Sequence, residues 1–266
     1  MSEARRQDKG RRHALVTGAG SGIGRAVALA LASRGHAVGL AGRRSEPLEA
    51  VRAEIEAAGG KALVLSGFDV TDAASVAAGV ARAIDRLGDI AVLVNSAGEA
   101  PSAPFEKTDP AFWNRVIGIN LTGTYLVTQA ALASVRRAGR GRIVNVASTA
   151  GLTGYAYVSA YCASKHGVVG LTRALALELA RTDVTVNAVC PGFTETPLLD
   201  GAVETITAKT GRSADEARAA LARANPQGRL VSPQEVADAV LWLASEGATA
   251  ITGQAIPVAG GEVLGG

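Results

Sequence analysis

A chain of 266 residues that is 48% hydrophobic can bury one large core, within the range that α/β folds fill as a single unit. The formal charge of +3 is carried by the segment before His13, where Arg5, Arg6, Lys9, Arg11 and Arg12 outnumber Glu3 and Asp8, so the neutral body offers no basic field to nucleic acid. With no apolar stretch of membrane-spanning length, no signal-peptide apolar region, and two cysteines (Cys162, Cys190) that lack metal-site spacing and read as buried, the expectation is a cytoplasmic protein with neither membrane nor metal partner.

Residues 1–12 are expected to form a disordered basic arm and residues 13–266 a single domain. Within that domain, apolar β-branched runs near 13–17, 36–42, 61–66, 90–94, 141–147, 183–190 and 254–258 alternate with alanine-rich helical stretches. The alternation predicts an α/β fold: a doubly wound, seven-stranded parallel sheet with helices on both faces. Its crossovers put ligands at the carboxyl ends of the strands.

The run from Ala14 to Gly24 joins the first strand to a helix pattern that begins near Gly22. Gly18, Gly20, Gly22 and Gly24 permit a tight turn. With Ser21 and Ile23 they form a cradle in which backbone N–H groups meet a pyrophosphate at a helix N-terminus, so a dinucleotide is expected there. The second strand ends in Gly42, followed by Arg43 and Arg44. A carboxylate at that point would hold ribose hydroxyls and repel a 2′-phosphate, whereas two guanidiniums can grip one. NADP(H) is therefore preferred and NAD(H) is the alternative; the bland reading is a solvated capping pair.

Farther along, Ser148 ends the run Asn145-Val-Ala-Ser148, and Tyr161 and Lys165 stand four residues apart on one helix face. An ammonium beside a phenol favours the phenolate, lowering a pKa of about 10 toward the range of proton exchange at neutral pH. Hydride addition to a ketone develops negative charge on oxygen, which Tyr161 can protonate and Ser148 can stabilise by a hydrogen bond. Tyr155 and Tyr157 have no lysine four residues on and are expected to shape the pocket. His166 reads as structural. The stretch 193–231, with Leu198, Leu199, Val203, Ile206 and Leu221 among charges, is predicted to form a lid of short amphipathic helices before a helix beginning near Ser232.

From about His13 to Gly261 these motifs, together with Asp69, Asn95-Ser-Ala-Gly98, Asn120 and Pro191-Gly192, resemble the short-chain dehydrogenase/reductase family in order and separation. The resemblance implies a Rossmann-type fold and a catalytic set of Asn120, Ser148, Tyr161 and Lys165. It implies that Asp69 meets the adenine amino group while Val70 packs the ring, and that Asn95, Ala97 and Gly98 border the cofactor at the fourth strand's end. Asn120 would anchor a water relay to Lys165, which would also hold the nicotinamide ribose beside Tyr161. Pro191 and Gly192 would shield the nicotinamide and Thr194 would hold its carboxamide. Two departures are Ser96, where the family has a second asparagine, and Ser21, where many NADP-using relatives carry a basic residue.

Around the pocket the chain looks most similar to 3-oxoacyl-thioester and polyketide ketoreductases. Ala150 and Val158 replace the histidine and lysine that hydroxybutyrate dehydrogenases use near a free carboxylate. The resemblance thus implies a ketone or secondary alcohol, bulky or thioester-linked, as substrate. The alternatives are an NAD-dependent secondary-alcohol or 3-hydroxyacyl dehydrogenase and, from another class, a dinucleotide-binding scaffold or regulator without turnover. Helices near 110–137 and 158–181 resemble those that pair in family tetramers, so a homotetramer is expected.

Overall fold

Strands that are covered on both faces need apolar side chains pointing both ways, and the seven predicted runs become strands of one parallel sheet. In the computed structural model, which describes residues 12–264, these are β1 (His13–Thr17), β2 (Ala37–Ala41), β3 (Lys61–Leu65), β4 (Ile90–Asn95), β5 (Arg142–Val146), β6 (Thr185–Pro191) and β7 (Ala255–Val258). Their spatial order is β3-β2-β1-β4-β5-β6-β7. The order in which strands are added reverses between β1 and β4, which opens a crevice at the carboxyl ends of those two parallel strands. The fold is the α/β doubly wound one expected.

Neighbouring residues of β1 divide the core. Val16 faces α1 (Gly22–Ser33), α2 (Ser45–Ala57) and α9 (Pro233–Ala244), packing with Val27, Leu31, Leu48, Val236 and Leu243. Leu15 faces α3 (Ala73–Leu87), α5 (Gly123–Arg137) and α6 (Ser159–Glu178), with Val80, Val127, Ala131 and Val135. Truncating one such fully buried leucine to alanine costs about 2–5 kcal/mol, because transfer and cavity terms add.

Helix starts follow from local capping. Asp72 accepts from the Ala74 N–H to begin α3, and Asp109 accepts from Phe112 N–H to begin α4 (Pro110–Ile117) with proline in the first turn. Ser232 and Glu235 form a reciprocal capping box at the start of α9. Between α4 and α5 lies a π-helical turn, Gly118–Thr122, that carries Asn120. The continuous helical run Pro110–Arg137 is long and apolar enough to cross a membrane by length and composition, contrary to the sequence expectation. Within it Val116, Val127, Ala131 and Val135 are fully buried in the fold, while 39% of its most apolar window is buried overall.

The lid consists of α7 (Pro197–Thr210) and α8 (Ala214–Ala222), packed through Leu199, Val203, Ala217, Ile206 and Leu221 with Phe193 and Leu230. Leu198 departs from the expectation and is 48% exposed, because the adjacent Leu199 occupies the buried side of α7. The lid's two ends are joined by a bridge between Thr194 and Val231, where Glu195 N–H donates to Val231 O and Val231 N–H to Phe193 O, each at 2.9 Å. Two other expectations change. The basic arm lies outside the described residues except for Arg12, whose guanidinium is held by the Arg140 carbonyl at 2.6 Å. Cys190 is buried as expected, but Cys162 is only half-buried.

Candidate active site

The loop from β1 into α1 is shaped by glycines with no alternative. Gly18 and Gly22 have φ of +66° and +53°. At Gly24 a Cβ would stand 2.3 Å from the Gly18 carbonyl oxygen, so only glycine lets α1 start this close to β1. Ser21, at the N-cap of α1, makes no side-chain cap bond, which leaves the first N–H groups of that helix for a ligand. Ser21 is exposed and Ile23 half-buried against the core. Uncapped helix start and tight glycine turn together fit a pyrophosphate.

The walls of this cradle come from neighbouring strand ends. Thr17 Oγ1 accepts from the N–H groups of Ser96 at 3.0 Å and Ala97 at 3.1 Å, tying β1 to β4 where the crevice opens. Because position 96 contributes its backbone, serine there in place of asparagine removes nothing from the tie. Thr17's role escaped the sequence reading, although its place beside Gly18 was the available signal. Gly98 faces Asn120, with a Cβ on Gly98 falling 2.7 Å from Asn120 Oδ1 and 3.7 Å from Lys165 Nζ.

Asp69, beyond β3, accepts from both the N–H and the hydroxyl of Thr71, at 2.9 and 2.7 Å. Those bonds hold its carboxyl below the usual range, and Arg43 adds to the same direction. Arg43 is therefore near Asp69, at the rim where the adenosine end of a dinucleotide would lie. Arg44 is the N-cap of α2, and its donor-only side chain makes no cap bond there. Val70 is 9% exposed and packs on the start of α5, its side chain 2.8 Å from the Cβ that Gly123 would carry.

Asn95, expected to border the cofactor, turns its side chain inward. Its amide N–H groups go to Thr128 Oγ1 and Asn145 Oδ1, both at 2.9 Å, and Asn145 continues to Thr172 Oγ1. As the last residue of β4 it points into the layer between sheet and helices, where it stitches β4 and β5 to α5 and α6.

The expected catalytic groups gather at the carboxyl ends of β5 and β6. Ser148 follows β5, its Oγ accepting from Ala150 N–H at 3.1 Å and near enough to the Tyr161 phenol to favour its ionised form. Lys165 is 6% exposed, one turn beyond Tyr161, with Nζ 5.6 Å from the Tyr161 ring centre and donating to Val146 O at 2.8 Å. The expected lowering of the phenol pKa is reversed here. Burial pushes Tyr161 above its ordinary value, against a smaller downward pull from the Ser148 bond. Burial likewise pushes Lys165 down to about 8, so it stays mostly charged below that value, while its hydrogen bond goes to the Val146 carbonyl rather than to the phenol.

Asn120 is fully buried and gripped by backbone: Oδ1 accepts from Glu99 N–H at 3.1 Å, and Nδ2 donates to the carbonyls of Glu99 at 2.9 Å and Val116 at 3.1 Å. Its reach toward Lys165 is across Gly98. Gly192, after Pro191 at the end of β6, donates to Val258 O, and Thr194 Oγ1 donates to Gly192 O at 2.9 Å, which leaves the Thr194 oxygen able to accept. His166 is exposed, with Nδ1 2.9 Å from Cys162 O in its own helix.

The arrangement can bind a dinucleotide along the crevice and present a phenol, a serine hydroxyl and an ammonium to one carbonyl oxygen. Comparison with known proteins agrees. Residues 12–207 match the model of the short chain dehydrogenase family. A ketoacyl reductase assigned to the monensin polyketide synthase of Streptomyces virginiae is 44% identical over 254 residues, covering 94% of this chain and 96% of that one. The cis-4-hydroxycyclohexanecarboxylate dehydrogenase of Sinomonas cyclohexanicum is 44% identical over 251 residues, 94% of this chain and 96% of its own. Among solved structures, a variant of actinorhodin polyketide ketoreductase with NADPH superposes with a TM-score of 0.91 at 42% identity, covering 96% of this chain and 98% of the other. The chain belongs to the short-chain dehydrogenase/reductase family, whose oxidoreductases act on ketones and secondary alcohols with a nicotinamide dinucleotide.

Proposed function

We propose that the protein reduces a bulky ketone or a 3-oxoacyl thioester with NADPH. The carrying observation is the buried Lys165 with Nζ 5.6 Å from the Tyr161 ring centre, next to Ser148 at the end of β5. Bound in the crevice, the dinucleotide would supply hydride to the carbonyl carbon. Tyr161 keeps its proton through the neutral range, since burial raises its pKa, and so stands loaded to protonate the forming alkoxide. Ser148 steadies the same oxygen. Lys165, held on Val146 O, keeps positive charge next to the phenol and lets a proton return to Tyr161, with Asn120 fixed across Gly98 to position a water in that path. Asn120, Ser148, Tyr161 and Lys165 are thus the proposed catalytic set.

NADPH is favoured over NADH by Gly42 and the pair Arg43-Arg44 where an NAD site would present an acid. Exchanging Arg43 for glutamate removes one charged grip on a 2′-phosphate and adds repulsion. Charged hydrogen bonds of this kind are worth about 1.5–3 kcal/mol, so Arg43→Glu should lower kcat/KM with NADPH on the order of 10–100-fold and leave NADH within about threefold. Steady-state rates with both cofactors decide it, and a wild-type protein faster with NADH would refute the preference. The proposal extends to a homotetramer, supported by Trp113, Tyr125 and Leu177, which stand 37%, 44% and 80% exposed on the helices expected to pair.

A further inference from the structure

The turn that follows Ser148 lies against the helix that carries Tyr161 and Lys165. It is a 3₁₀ turn, Thr149–Gly151, capped by Ser148 and closed by a bond from Gly151 N–H to Ser148 O at 2.8 Å. All three of its residues are buried. The N–H groups of Leu152 and Thr153 both donate to Thr149 O, at 2.9 and 3.0 Å, so the turn is knit to itself and any displacement of it carries Ser148 along.

Gly151 is where this turn meets α6. A Cβ there would stand 2.7 Å from Lys165 O, 2.9 Å from Lys165 C and 3.3 Å from Lys165 Cβ. The first two are backbone atoms within a helix and have no rotamer to escape into. The φ of Gly151 lies outside the left-handed region, so conformation does not demand glycine here; space does. Gly98 differs, because the atoms a Cβ would approach there, Asn120 Oδ1 and Lys165 Nζ, are the ends of side chains.

Lys165 is thereby gripped at both ends by one stretch of chain. Its Nζ donates to Val146 O at 2.8 Å, its backbone carbonyl rests on Gly151, and Ser148 lies between these two contacts in sequence. Ser148 is also near enough to the Tyr161 phenol to act on it. How closely turn and helix pack therefore decides where the serine hydroxyl stands relative to the phenol.

We propose that Gly151 is a positioning residue for carbonyl reduction: its missing side chain lets the Ser148 turn lie directly on the Lys165 backbone, which sets the Ser148 hydroxyl against the Tyr161–Lys165 pair. The inference rests on the ketone-reductase reading above. Ordinary contact begins at 3.4 Å, so a Cβ held at 2.7 Å would part turn and helix by roughly 0.7 Å, and misplacement on that scale can cost up to about 10²-fold in rate.

Gly151→Ala and the matched control Gly60→Ala test it in the full-length protein, with 4-methylcyclohexanone and NADPH. A Cβ on Gly60 would crowd Ile55 Cγ2 at 2.6 Å and Ile55 O at 2.9 Å, before the amino end of β3 and away from the cleft. Gly151→Ala should lower kcat about 10–100-fold, with KM for the ketone and the NADPH dissociation constant within about threefold; Gly60→Ala should keep kcat within about twofold. Coupling to Ser148 is the readout that packing alone would not move. In a Ser148→Ala background, Gly151→Ala should cost less than about threefold, because the hydroxyl it would displace is already gone. Losses that multiply in the double variant overturn the role, as does a wild-type kcat in Gly151→Ala. So does a Gly151→Ala protein that no longer melts cooperatively or binds NADPH, since the glycine would then serve the fold. Each of those outcomes leaves the reductase intact; a wild type that reduces neither this ketone nor any bulky ketone or 3-oxoacyl thioester overturns both.

Discussion

Replacing Tyr161 by phenylalanine should lower kcat for ketone reduction by about 10²–10⁴-fold while leaving the dissociation constant for NADPH within about threefold, as expected for loss of a general acid. The reason is local. The substitution keeps the ring that Lys165 overlies and removes only the hydroxyl, next to Ser148. Fluorescence titration of the cofactor beside steady-state rates separates the two effects. A Phe variant that turns over within about tenfold of wild type would show that the proton comes from another group or from solvent.

The second large effect is at Lys165. Its Nζ anchors on Val146 O, overlies the Tyr161 ring and lies near the point where Gly98 meets Asn120, so one side chain joins the acid to the proton path. Lys165→Met should reduce kcat by about 10²-fold or more, and should also weaken cofactor binding, unlike the Tyr161 variant. The pH dependence carries a sign. Burial lowers the Lys165 pKa to about 8, so the charged form is present below that value and lost as pH rises through it. Wild-type kcat for reduction should be level through the neutral range and fall as one proton is lost near pH 8. In Lys165→Met that alkaline fall should vanish, and its persistence would assign it elsewhere.

Much of this was legible before any coordinates. Parallel strands covered on both faces read as unbroken apolar runs, and the predicted 61–66 and 90–94 differ by one residue from Lys61–Leu65 and Ile90–Asn95. The glycine loop was legible because close helix approach leaves no other residue possible at Gly24. What failed to show was direction and depth. Asn95 occupies a motif position, but spacing does not say that its amide turns inward to Thr128 and Asn145. The upward shift of Tyr161 depends on how completely neighbouring elements cover it, a property of the packed fold that Tyr-x-x-x-Lys does not carry.

The helical run Pro110–Arg137 gives the converse lesson. Its length and hydropathy would suit a lipid span, yet Val116, Val127 and Ala131 are consumed by the sheet and its neighbours. One stripe of the run serves the core, and Trp113 and Tyr125 remain on its exposed side.

The central claim, that this cleft reduces a carbonyl rather than merely holding a dinucleotide, is tested most directly by single turnover with NADPH deuterated at the transferring C4 position and excess 4-methylcyclohexanone. The account predicts one equivalent of 4-methylcyclohexanol carrying deuterium on the former carbonyl carbon for each equivalent of NADP⁺ formed. Cofactor bound at full occupancy, with no deuterium in any alcohol from this ketone or from a panel of bulky ketones and 3-oxoacyl thioesters, would contradict it.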